Sequence, residues 1–283
     1  MVRNLFSVLF SISLVMPSFG FADVLFEGYQ KIISGGTHIG YTVSRYSYDP
    51  KKKQYSAIYF IKTGAMGGDN TESVRALADD NLNPISYEYT SMMGKEIKII
   101  DAKFLKGKMS AKVSEGKKSK TIKNDIPKGT FLSSFLVYLM LKSKTGIQTD
   151  SKYNYKAIAE EDGSIENGLA VVGKEETIKN FRAFKITNQF KGIEFISYVN
   201  DRGEVLSTNS PALNLTTELV ATPSEAIGEF PTSSSILKSL FGDVPLGNIN
   251  VVSKANMANA LSPGERSKQE GVPQGEGILI KGK

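Results

Sequence analysis

The sequence predicts a mainly β protein, an antiparallel curved sheet (half-barrel) wrapped around one apolar helix and followed by a disordered C-terminal tail. Three observations carry this expectation. Apolar and polar residues alternate with a period of two through most of the chain. Reversals rich in Gly, Asn, Asp and Pro separate the alternating stretches. One run, Thr130 to Lys144, is apolar around nearly its whole helical circumference.

The strands follow in order. Val24 to Ser34 and His38 to Tyr48 flank Gly35-Gly36, a hairpin signal because both central positions of a tight primed turn require positive φ. Gln54 to Thr63 comes after the turn at Asp49-Pro50, then Thr71 to Ala78, Ile85 to Met93 and Glu96 to Phe104. Within Ile85 to Met93 the apolar positions Ile85, Tyr87 and Tyr89 alternate with Ser86, Glu88 and Thr90, which points one face at a core. The helix reads TFLSSFLVYLMLKSK, with Thr130 at its capping position and Lys142, Lys144 and Gly146 at its close. Strands resume at Lys152 to Glu160, Leu169 to Thr177, Phe181 to Phe190, Gly192 to Asn200 and Glu204 to Thr208. A single greasy helix among about a dozen strands implies a sheet curved around it. From Pro211 the pattern weakens, apart from a short helical stretch at Ser235 to Phe241.

The two ends read differently. Arg3, the apolar stretch Leu5 to Met16 and the small residues Gly20 and Ala22 have the order of a secretory signal cleaved after Ala22. The apolar stretch is too short to span a bilayer, which needs about 20 residues. No transmembrane span is expected after its removal, and the location is periplasmic or secreted. Residues 23–230 form the β-rich domain, and residues 231–283 a linker and low-complexity tail. Gly242 to Lys283 lacks the periodicity needed to offset its ordering entropy, Ile278-Leu279-Ile280 excepted. A chain ended after Phe241 is therefore expected to keep its unfolding midpoint within a few degrees.

Composition removes several kinds of chemistry. There is no cysteine and a single histidine, His38, so thiolate sites, disulfides and Ser-His-Asp or Cys-His machinery are excluded. Asp79, Asn81 and Asn83 start like a calcium loop, but its sixth and twelfth positions are Pro84 and Thr90 rather than Gly and Glu. The strings Ser114-Glu115-Gly116-Lys117 and Lys144-Thr145-Gly146 lack the strand and helix context of penicillin-recognising enzymes. Neither Gly64, Gly67 and Gly68 nor the paired acids Glu160-Glu161-Asp162 and Glu175-Glu176 complete a phosphate loop or a glycosidase pair. No cofactor, metal or catalytic residue is assigned.

Lys103 to Lys123 is the most biased segment, with eight lysines against the single acid Glu115. Lys106, Lys108 and Lys112 share one strand parity and Met109, Ala111 and Val113 the other, so the lysines face water. Arginine is absent and Phe104 is the only aromatic, which argues against nucleic acid and leaves an anionic surface as a contact for these lysines.

The leader, the glycine hairpin within Gly28 to Tyr41, the segment Leu82-Asn83-Pro84-Ile85-Ser86-Tyr87-Glu88-Tyr89, the apolar helix after Ile126-Pro127 and the strand-turn-strand unit Tyr198 to Leu206 together resemble bacterial envelope proteins of unknown function. Those families are similar to the lipoprotein-carrier and lipoprotein-receptor half-barrels. The resemblance spans roughly Asp23 to Val220 and carries no catalytic motif. It implies a non-enzymatic protein that binds a lipid, a lipoprotein acyl chain or another envelope component between sheet and helix, with Tyr87, Tyr89, Phe131, Leu132, Phe135 and Leu139 as the lining. The same side chains serve equally well as a plain core. The competing reading is a structural or interaction module that meets a partner protein or the cell wall through sheet edges or the lysine-rich hairpin. Ligand, partner and oligomeric state are not legible in the chain.

Overall fold

The computed structural model describes residues 22–260; the expected leader and residues 261–283 of the expected tail lie outside the described residues. A first meander runs through eight antiparallel strands: β1 (Asp23–Ser34), β2 (Thr37–Asp49), β3 (Gln54–Thr63), β4 (Asn70–Asp79), β5 (Pro84–Met93), β6 (Glu96–Leu105), β7 (Lys108–Glu115) and β8 (Lys118–Asp125). The chain then crosses the interior through β9 (Phe131–Leu132), a 3-10 turn at Ser133–Phe135 and α1 (Leu136–Lys142). A second meander follows: β10 (Lys152–Ile158), β11 (Ile165–Ile178), β12 (Phe181–Phe190), β13 (Ile193–Val199), β14 (Val205–Ser210) and β15 (Leu215–Leu219). Three helices close the described chain: α2 (Pro223–Ile227), α3 (Ser234–Phe241) and α4 (Val251–Ala260).

Because β15 pairs with β1, the two meanders form one fifteen-stranded sheet, ordered β8-β7-β6-β5-β4-β3-β2-β1-β15-β14-β13-β12-β11-β10-β9. The end strands β8 and β9 do not pair, so the sheet is curled but not closed. The turn chemistry is as expected at Gly35 and Gly36, whose φ values are 53° and 81°. Alternation holds along β7, where Met109, Ala111 and Val113 are buried and Lys108, Ser110 and Lys112 exposed.

The interior segment departs from expectation. A helix over Thr130 to Lys144 is predicted, but α1 has only seven residues. Phe131 and Leu132 instead pair in parallel with Ala157 and Ile158 of β10, and strand geometry displaces the first helical turn. Thr130 is not a cap; its hydroxyl is buried without a partner among the described residues. The remaining helix is enclosed on two sides, as its composition implies. Tyr138 packs against the rings of Tyr46 and Tyr55, at 5.3 and 5.6 Å, within the cluster built by the first meander. Met140 enters a second cluster with Ile147, Val172, Ile186 and Val199.

The expected tail is also structured further than the sequence implies. α3 matches the short helical stretch expected at Ser235 to Phe241, but α4 forms as well, and residues 242–250 cross the outer side of β1 and β2. Glu27, buried on β1, accepts hydrogen bonds from Arg45 Nε at 2.7 Å and from the backbone amide of Gly247 at 2.6 Å. Arg45 extends to Asp243 and to the Phe241 carbonyl. Asn250, fully buried, donates to the Glu27 carbonyl and accepts from the Ser253 amide, which caps α4. Glu204 accepts from the Val251 amide at the same helix end. These contacts hold the segment through polar groups, which is why an apolar-periodicity argument overlooks it. Among the described residues no helix is long and apolar enough to cross a membrane.

Candidate functional site

The concave face of the first meander is built in rows. One row runs Tyr46, Ala57, Ala76, Tyr87, Ala102, Ala111, Ile122 across β2 to β8, each residue opposite the next. The next runs Tyr59, Val74, Tyr89, Ile100, Val113 across β3 to β7. The four alanines are essentially fully buried. Their small side chains leave room on the inside of the curve for Phe131, Leu132 and Phe135, which belong to the same cluster. Of the six side chains expected to line a ligand site, Tyr87, Tyr89, Phe131, Leu132 and Phe135 are thus brought together as packed core, and Leu139 packs against them with part of its surface free.

Accessible surface inside the curve belongs to other residues. Tyr46, Tyr59, Leu136 and Leu139 all pack against this cluster yet keep part of their surface. Tyr46 and Tyr59 are nevertheless surrounded deeply enough that desolvation, with a smaller contribution from the nearby Glu160 charge, pushes their phenols well up from the ordinary tyrosine range. Tyr46 and Tyr59 present this free surface on the concave side of the first meander, in the two rows described above.

Glu160 is the polar centre of this interior. It follows β10 in a turn closed by Ala159 N–H donating to the Ser164 carbonyl and Gly163 N–H to the Ala159 carbonyl. Gly163 has φ of 73°, and a Cβ there would lie 3.1 Å from the Tyr87 hydroxyl, so glycine lets this turn press against β5. The carboxyl is 1% exposed and accepts from the Ser133 hydroxyl at 2.5 Å and the Ser134 amide at 3.1 Å. Burial pushes its pKa above the usual carboxylate range, and the two serines oppose that shift. Tyr46 donates to the Ser134 carbonyl at 3.1 Å. The Tyr87 hydroxyl is buried with no partner among the described residues, while the Ser134 and Ser164 hydroxyls lie beside the Glu160 and Asp162 carboxylates. Desolvating a hydroxyl without a hydrogen bond costs about 1–3 kcal/mol. The arrangement offers an apolar wall, a carboxyl and the free Tyr87 hydroxyl. It supplies hydrogen bonding rather than a nucleophile paired to a base.

Composition and parity suggest the alanine rows, but in the sequence Glu160 is only one of three turn acids. Its burial depends on the 3-10 turn at Ser133–Phe135 coming to meet it, which no local signal announces. His38 sits elsewhere, edge-on to the Phe230 ring at 5.2 Å with Nε2 2.9 Å from the Gly40 carbonyl oxygen. Asp79 is used by its own turn, accepting from the Asn81 and Asn83 amides. Among the described residues no three acids or histidines gather as a metal site. Lys108 and Lys112 project outward from β7, and Lys106 occupies the β6–β7 turn with φ of 50°.

No family model matches the chain, and no curated protein matches it. Two solved structures are similar to the chain at low identity. A β-barrel-like protein with the domain of unknown function DUF1849 from Brucella abortus is 13% identical, with a TM-score of 0.48 over 69% of this chain and 94% of that one. A DUF1089 family protein from Pseudomonas aeruginosa is 9% identical, with a TM-score of 0.36 over 62% and 91%.

Proposed function

We propose that this chain is a non-enzymatic envelope protein that carries an amphiphile, its acyl part lying against Tyr46, Tyr59, Leu136 and Leu139 and its polar end reaching Glu160. One observation carries the reading: apolar side chains on the concave side keep free surface near the buried Glu160 carboxyl and the unpartnered Tyr87 hydroxyl. An apolar cleft with a few convergent polar groups is the usual build of a small-molecule site. The secretory leader read from Met1 to Ala22 supports a periplasmic or secreted location.

Native mass spectrometry of the protein purified from its own envelope fraction tests this. A co-purifying lipid is expected, and Leu139→Trp, which adds bulk where that side chain keeps free surface, should abolish it while leaving the unfolding midpoint within a few degrees. A wild-type protein without any bound lipid overturns the proposal, as does lipid retained by a stably folded Leu139→Trp.

A further inference from the structure

The outer face of β5 to β8 points to a second function, independent of what the interior holds. On the convex side, Met92, Ile97 and Ile99 form an apolar strip, with Met92 opposite Ile97 across the β5–β6 pair. They are 41%, 45% and 45% exposed. Next to the strip, Lys103 lies opposite Ser110, which lies opposite Lys123, and Lys112 lies opposite Asp101. Beyond them Leu105, 74% exposed, faces Lys108, whose ammonium is 3.5 Å from Asp125. Toward β4 the strip runs into an open groove of about 590 Å³ walled by Phe60, Ile236 and Leu240.

We infer that this face docks on an anionic lipid surface. The chemistry selects that occupant. Lysines whose flexible stems carry the charge clear of the sheet, set beside exposed aliphatic side chains, satisfy both demands of the membrane interface, attraction to acidic headgroups and shallow apolar insertion. A protein partner would be met by aromatic and arginine anchors, with lysine depleted from the centre. The outward positions of β5–β8 include no aromatic and no arginine; Phe60 and Arg75 belong to the groove at their margin. The acids on the face, Glu88, Asp101 and Asp125, are outnumbered by Lys103, Lys108, Lys112 and Lys123, and Glu88 is paired with Arg75 of β4. Each of these lysines should strengthen binding about fivefold at low salt, and the attraction should fall off within a Debye length as salt rises.

The test is flotation of the full protein, purified from its native host, with vesicles of phosphatidylethanolamine alone or mixed with phosphatidylglycerol. Binding is expected only with phosphatidylglycerol and should weaken as salt rises. Lys103→Glu combined with Lys112→Glu and Lys123→Glu should lower affinity by more than about 100-fold. Arginine at the same three positions should preserve it. Ile97→Ser with Ile99→Ser should weaken binding several-fold while keeping its salt dependence. All five positions are exposed, and an unchanged circular dichroism melting curve confirms that each variant is folded. Equal binding to both vesicle types, or undiminished binding by the folded triple-glutamate variant, overturns the inference. So does capture of the face by an envelope protein with no vesicle binding.

Discussion

The outer faces of β1–β3 and of β5–β8 belong to one sheet, yet one is roofed and the other bare. Over β1–β3 the outward side chains Tyr29, Tyr41, Val43 and Phe60 form a core of their own with Ala226, Leu237 and Phe241 of the C-terminal helices. Over β5–β8 the outward positions are Thr90, Asp101, Lys103 and Lys112, mixed with Met92, Ile97 and Ile99, and α3 reaches only their margin. β2 accordingly shows a continuous buried run from Ile39 to Val43 instead of alternation. A strand apolar on both sides requires two covers, whereas one that alternates requires only one. The chain thus has two layers around β1–β3 and leaves the other end of the sheet available for contact.

The largest effect is expected where the roof is fastened. Glu27→Ala would leave the Arg45 guanidinium partly buried with only Asp243 as its acid, and removing one partner of a buried pair costs about 3–5 kcal/mol. Ending the chain after Phe241 removes Asp243, Gly247, Asn250 and α4 together. Its thermal midpoint should drop by about 10 °C or more, against the few degrees expected from sequence. A midpoint unchanged by the truncation would show that α2 and α3 alone make the roof.

Next comes packing beneath it. Phe60→Ala should cost about 3–5 kcal/mol in denaturant unfolding, as should Phe135→Ala on the inner side. Equal costs would establish that the two layers are comparable cores; a small loss at Phe60 would reduce the roof to a loose cover.

Two buried carboxyls sharpen the contrast in another way. Glu27 has an arginine, whereas the groups that bind the Glu160 carboxyl are a hydroxyl and an amide. A carboxyl whose pKa is raised by folding binds its proton more tightly in the native state than in the unfolded one. Its contribution is intact below the ordinary value of 4.5 and is lost as pH rises through the raised folded value. Glu160→Gln should flatten stability over that window and be neutral or stabilising at pH 7, as measured by urea midpoints across pH. Loss of stability at every pH would mean that the charged form is the one the fold requires.

The smallest effect belongs to the bare face. Lys112→Ala and Ile99→Ala should each stay within about 0.5 kcal/mol of wild type. A larger loss would mean that this face too is covered.

The sheet was legible because period-two patterning and turn residues are local. Gln54 to Thr63 and Phe181 to Phe190 match β3 and β12 residue for residue, and the parity that turns Lys112 outward and Ala111 inward follows from the pleat alone. β15 was missed, since its hydrogen bonds come from β14 on one side and from β1, far earlier in the chain, on the other. By itself the sequence determined the β class, the hairpin at Gly35-Gly36, the enclosure of the apolar segment and the chemistries that lack their residues. Only the tertiary structure decided that Phe131 and Leu132 join a strand, that residues 242–260 lock onto Glu27 and Glu204, and that Glu160 lies inside. Each of those outcomes depends on a partner distant in sequence, and burial of a polar group is favourable only once that partner is in place.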